Sequence, residues 1–139
     1  MADRVIEELD EDQCLALIGP GGIGRIAYTS RFGPTVLPVN YALHDGAIVF
    51  RTAENGSLDE DLRTGIAHAA YKVAFEIDSI ELVGEQGWSV LIQGPARRVT
   101  GADRDGVRGA GVESWAPGDR ELFVRIVPSR ITGRRVGPA

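Results

Sequence analysis

The sequence predicts a mainly β fold: a small barrel of about six or seven strands with two or three short helices. Three observations predict it. Runs of alternating apolar and polar residues recur at short spacing, separated by turn residues. Eighteen glycines supply those turns. The 139 residues, 43% hydrophobic and 25% charged, have the balance of one globular domain, residues 1–139.

The elements follow in order. "LDEDQCLALIG" predicts a short helix, with Asp10 as N-cap and Gln13 at the capping-box position. Leu15 and Ile18 share a face, and Gly19-Pro20 stop it. A buried five-residue strand over "CLALI" is the alternative. "GRIAYTS" reads as a strand, rich in β-branched and aromatic residues. "RFGP" makes a turn. In "TVLPVNYAL", Leu37, Val39, Tyr41 and Leu43 point one way, and Val36, Pro38, Asn40 and Ala42 the other. Pro38 has no N–H to give a ladder, which places this strand at an edge or a bulge. His44 to Gly46 form a hairpin turn into "AIVFRT".

A helix covers "SLDEDLRTGIAHAA", where Leu58, Leu62 and Ile66 recur at spacing four and Gly65 weakens the pattern. "YKVAFEID" is a strand with Val73, Phe75 and Ile77 on one side. "GWSVLIQGPARRVT" is a long strand bent near Gly94-Pro95. "ADRDGVRGAGVE" is a short helix or an irregular segment, and "RELFVRIVPSRITGRRV" supplies one or two final strands.

Composition narrows the function classes. The net charge is −5 and the sequence pI is near 5.0. Long-range attraction to nucleic acid or to an anionic membrane is therefore not expected. Cys14 is the single cysteine, so no internal disulfide forms, which fits a reducing cytoplasm. The acidic start "MADRVIEELDEDQ" lacks the apolar stretch of a signal peptide. No apolar run reaches the length of about 18 residues that a membrane helix needs.

Gly19, Gly21 and Gly24 have the G-x-G-x-x-G spacing of a dinucleotide-binding loop. That loop runs from a strand into a helix, because the helix N-terminus receives the pyrophosphate. Here the glycines lead from a helix into a strand, so they are expected to be turn residues.

A better anion site lies in "IVFRTAENGSLDEDL". Arg51 ends a strand, Thr52 follows, and Asn55-Gly56-Ser57 lead into a helix. A guanidinium offers a planar fork of donors that suits phosphate, and the hydroxyls add more. The bland alternative is a surface arginine and a plain Ser57 N-cap.

The ordered segments "GRIAY", "GPTVLPVNYALHDGAIVFRT", "NGSL", "VAFEID", "GWSVLIQGPARRV" and "IVPSRITGRR" resemble the flavin-binding split-barrel family related to pyridoxamine phosphate oxidase. The resemblance runs from Gly24 to Arg135. It implies a six-stranded split β-barrel, Greek-key-like, in a homodimer with FMN in clefts at the subunit interface. Carried over by position, it implies that Arg51 and Thr52 meet the FMN phosphate, with Ser57 capping the same region. Pro38, Val39 and Asn40 would lie along the ring or the ribityl chain. Trp88 and Ser89 would approach from the other subunit or floor the cleft.

The chain departs from that pattern at one place. The family commonly reads G-S-K-L, its lysine reaching the phosphate. Here Ser57 is followed by Leu58, Asp59, Glu60 and Asp61. Acids in a first helical turn stabilise the helix by roughly 0.3–1 kcal/mol each. They also repel a nearby phosphate, and a lost lysine contact costs roughly 1.5–3 kcal/mol.

Other candidates carry less. His44 and His68 have no companion ligands in a metal-site pattern, so no metal is expected. Cys14 reads as a core residue rather than a nucleophile. There is no G-x-S-x-G elbow and no assembled Ser/His/Asp set, so no catalytic side chain is assigned. Trp88 and Trp115 are core anchors or cleft walls, Trp88 leaning to the cleft. Arg97-Arg98 and Arg134-Arg135 read as solvated strand residues, and Arg134 could face an anionic substrate. The expected function is that of a cytoplasmic FMN-dependent oxidoreductase acting on a small-molecule substrate. A deazaflavin-coenzyme-dependent reductase and a cofactor-free binding module are the alternatives.

Overall fold

The computed structural model describes residues 3–53, 56–62, 71–101, 103–112, 114–115 and 122–139. Asn55, Gly65, Ile66 and His68, named above, lie outside them. The order is β1 (Arg4–Leu9), α1 (Glu11–Ile18), β2 (Gly22–Ser30), β3 (Gly33–His44), β4 (Ala47–Thr52), α2 (Ser57–Leu62), β5 (Tyr71–Glu81), β6 (Gln86–Arg98), α3 (Asp103–Arg108), β7 (Leu122–Ile126) and β8 (Arg130–Pro138).

Six antiparallel strands close a barrel in the order β6-β5-β2-β3-β4-β7, with β7 returning to β6. Closure leaves these strands with few open edges, which is how a small β protein protects its hydrogen-bonding groups. The expected six-stranded barrel is therefore the fold, and β8 and β1 extend it beyond β6. The predicted bend near Gly94-Pro95 is where β6 changes partners. Its residues 87–93 pair with β8, and Ala96 to Arg98 pair with β7.

The alternation read in "YKVAFEID" is the alternation of burial, whereas β4 is buried at nearly every position, and Leu37, read as sharing a face with the buried Tyr41, is exposed. Tyr41, Ile48, Phe50, Val73, Phe75, Ile77, Val90 and Ile92 are among the residues of the main core. Phe75 meets Tyr41 edge-on at 5.5 Å and stacks on Phe50 at 6.2 Å, between ring centroids. A smaller cluster, Val49, Val99, Val107, Val112 and Phe123, draws on β4, β7 and α3.

The helix reading of "CLALI" holds. Asp10 accepts the Gln13 N–H at 2.8 Å, and the Gln13 side chain accepts the Asp10 N–H at 2.9 Å. The helix drives Cys14 and Ile18 fully into the core. Burial first, then the charges of Asp10 and Glu11, pushes the Cys14 thiol up from its usual range. The thiolate is disfavoured there, which suits a packing residue.

The glycine-rich stretch is a turn into β2, as its flanks require. Gly21 sits in the left-handed region at φ 79°. Gly24 gives way to a ring, since a Cβ there would lie 2.1 Å from Cε1 of Phe75. At the next turn, Asp45 and Gly46 both have positive φ, as a two-residue hairpin on the right-handed twist demands.

β1 is the element the sequence hides. Its residues are exposed except Leu9, so no alternation marks it. It forms because β8 lies beside it, with Glu7 opposite Arg135 and Glu8 opposite Arg134.

Candidate functional site

β4 alternates across the barrel wall. Ile48 and Phe50 point into the main core, while Val49 joins the outer cluster. Arg51 follows on the outer side, its guanidinium carbon 5.5 Å from the centre of the Phe123 ring. Phe123 is its cross-strand neighbour on β7. The strand ends at the buried Thr52, and the chain then turns toward α2 and Ser57.

β3 approaches the same place from the other side. From Gly33 to Asn40 it pairs with β2 alone among the described residues, and β4 joins it only from Tyr41. Pro38 thus sits on an edge, as its missing N–H requires. The open edge leaves backbone donors and acceptors available to a ligand or a second chain.

Between these elements lies a cavity of about 490 Å³. Arg51, Thr52, Gly56 and Ser57 line one part of it, and Leu37, Pro38, Val39 and Asn40 another. Ile23 and Leu58 add apolar surface, and Ser114 and Trp115 enter from the segment after α3. Six residues singled out from the sequence therefore come together: Pro38, Val39, Asn40, Arg51, Thr52 and Ser57. Trp88 and Ser89 do not join them in the single chain. Both line a cavity of about 470 Å³ with Ile80, Leu82, Arg134 and Val136.

The acids after Ser57 are matched by arginines. Asp59 is 1% exposed, and its Oδ1 lies 3.6 Å from Nε of Arg98 at the end of β6. Arg31, in the β2–β3 turn, reaches Asp61 at 3.1 Å and Glu60 at 3.3 Å. None of the three carboxylate residues lines the cavity. The repulsion expected from these acids is therefore offset by neighbouring guanidinium groups. Arg98, read from the sequence as a solvated residue, is one of them.

Another charged cluster lies on the outer face of β2 and β5. Arg25 Nη1 is 3.6 Å from both Glu76 and Asp78. Partial burial, and then the hydrogen bond and charge of Asp78, push the Glu76 carboxyl up to about 7 against the pull of Arg25. His44 lies 3.3 Å from the Asp45 carboxylate. The described residues contain no group of three or more potential metal ligands and no helix long and apolar enough to cross a membrane.

The cavity is thus lined by an arginine and hydroxyl-bearing residues together with apolar ones, beside an open strand edge. The family model described as pyridoxamine 5'-phosphate oxidase matches residues 10–135. The chain belongs to the pyridoxamine 5'-phosphate oxidase family. Within this group it is similar to a solved FAD-binding protein of Mycobacterium smegmatis, at 31% identity and a TM-score of 0.74. That match covers 92% of this chain and 98% of the other. An uncharacterized protein of Mycobacterium tuberculosis is 29% identical over 133 residues, covering 96% of this chain and 87% of that protein. A FAD-binding protein of Mesorhizobium loti shares the fold at 19% identity and a TM-score of 0.75, over 97% of this chain and 99% of that one.

The sequence pointed to Arg51, Thr52 and Ser57 through local chemistry. It did not place Ile23, Leu58 or Ser114 at the site, and it left Trp115 open between core and cleft. These residues are ordinary in their local patterns, and only barrel closure brings them to one cavity.

Proposed function

We propose that this protein is a homodimeric, flavin-dependent oxidoreductase of a small molecule, its flavin held in the cavity beside β3. The carrying observation is the placement of Arg51, Thr52 and Ser57 at one end of a cavity whose remaining walls are largely apolar. A phosphate suits the first part and a flat heteroaromatic ring the second. Flavin mononucleotide has both, and the dinucleotide contains the same half. FMN is the simplest occupant. The similarity to the Mycobacterium smegmatis FAD-binding protein supports testing the dinucleotide beside it.

In this reading Arg51 holds the phosphate as a bidentate donor, and Thr52 and Ser57 supply hydroxyl donors. Pro38, Val39 and Asn40 form the wall along the ring or the ribityl chain. The bound flavin supplies the hydride-transfer chemistry, while the protein binds, orients and shields it. Trp88 and Ser89 serve the site through the second subunit, whose presence the open edge of β3 and the exposed Val36, Leu37 and Ile23 favour. The cytoplasm, suggested by the single cysteine, is its proposed compartment.

Absorbance of the purified protein, followed by titration with FMN, FAD and the deazaflavin coenzyme, tests the reading. Flavin bands with micromolar or tighter binding are expected, and Arg51→Ala is expected to weaken binding by about tenfold or more. An Arg51→Ala protein that binds flavin like the wild type removes the phosphate assignment. Selective binding of the deazaflavin coenzyme would make the protein a deazaflavin-dependent reductase. Failure of all three would leave a cofactor-free binding module.

A further inference from the structure

We propose that Trp115 is the aromatic wall of this cavity, stacking on a ring of the flavin nucleotide, and that Asn40 is the residue that positions it. The inference rests on the flavin reading above.

Trp115 is the only aromatic residue among the described residues that line the cavity. It is 73% exposed, although an indole buries more apolar surface than almost any other side chain when it is given a partner. The other described residues of the lining are an arginine, small polar residues and aliphatic ones, with no second π-face among them. A heteroaromatic ring entering the cleft would gain one from Trp115.

The backbone of Trp115 is tied to β3. Its backbone N–H donates to Oδ1 of Asn40 at 2.9 Å. Asn40 lies on β3, where the register fixes it opposite Ile23 of β2. The side-chain oxygen of Asn40 thus ties a segment from beyond α3 to the rigid wall of the site. Its amide has a scaffold task apart from any ligand contact: it holds the backbone that carries the indole beside the cavity before a ligand arrives.

The test measures binding and flavin emission in intact wild type, Trp115→Phe and Trp115→Leu, titrated with FMN and with FAD. An indole in contact with an excited flavin quenches it by electron transfer. The wild type is expected to bind flavin with strongly quenched emission. Trp115→Leu is expected to bind roughly tenfold more weakly or worse, with brighter bound flavin. Trp115→Phe, which keeps a ring, should fall between them. Equal loss for both ligands assigns the partner as the isoalloxazine, and loss for FAD alone assigns it as the adenine. Either outcome supports the wall.

Asn40→Ala should lose a similar factor, Asn40→Asp should retain binding through its acceptor oxygen, and Asn40→Ala should add little to Trp115→Leu. Wild-type affinity and emission in Trp115→Leu overturn the proposal and leave the flavin reading standing. A Trp115→Leu protein whose mass in solution differs from the wild type also overturns it, since the indole then serves a subunit contact. A wild type that binds neither flavin overturns both readings.

Discussion

Gly24 lacks a side chain because Phe75 occupies the space a side chain would need. The same glycine completes a motif that suggests a nucleotide loop, so one residue type carries two readings until its neighbour is known. Gly24→Ala is expected to destabilise the fold by roughly 1–3 kcal/mol, by forcing the Phe75 ring off Tyr41 and Phe50. Chemical denaturation checks it, and an unchanged midpoint would contradict the packing. Glu76 makes a second residue-scale prediction. Its carboxyl is raised from 4.5 to about 7 in the folded state. Between those values the folded chain holds a proton that the unfolded chain has released, so stability falls as pH rises through the window. Above it both states are ionised and the loss is complete. Thermal melts from pH 4 to 8 should show this decline in the wild type and a flatter profile in Glu76→Gln, with the variant the more stable at pH 8. Parallel profiles would refute the assignment.

At the scale of elements, α1 was legible almost to the residue. Its capping box, apolar face and stop signal all lie within eleven consecutive positions. α2 was legible as a helix start, yet the purpose of its acids was not. Asp59, Glu60 and Asp61 meet Arg98 and Arg31, each distant in sequence, so a local reading sees uncompensated charge. These pairs hold α2 against the barrel with Ser57 and Leu58 at the cavity. Arg98→Ala weakens the support of the buried Asp59 and should cost roughly 1–3 kcal/mol. Arg31→Ala removes contacts made by an exposed guanidinium, to the exposed Glu60 and the largely buried Asp61, and should cost less than Arg98→Ala. Urea titrations of the two variants test the order, and equal losses would refute it. β1 escaped notice for a related reason. Its faces are both wet, and its reason to be a strand is the edge of β8.

At the scale of the whole molecule, the barrel turns on β6, the one strand that pairs with β5 along its length and with β8 and β7 in succession. The order of segments was enough to expect that barrel. One chain alone keeps Trp88 and Ser89 apart from the Arg51 cavity, and it leaves Val36, Ile80, Leu82 and Val83 widely exposed. A second copy is the proposed occupant of this apolar surface. Sedimentation equilibrium should therefore give twice the 14.9 kDa chain mass. A monomer at micromolar concentration would refute the shared cleft.

Taken alone, the amino-acid sequence determined most of the strand segments, though not β1, and the capped start and glycine stop of α1, and it pointed to Arg51, Thr52 and Ser57 as candidates for an anion site. Period-two alternation, capping and turn chemistry are local, so they are written in consecutive residues. Only the tertiary structure decided that Glu7 and Glu8 face Arg135 and Arg134, that arginines answer the acids of α2, and that Trp115 stands over β3. Those outcomes depend on which strands lie side by side when the barrel closes, a property of residues far apart in the chain.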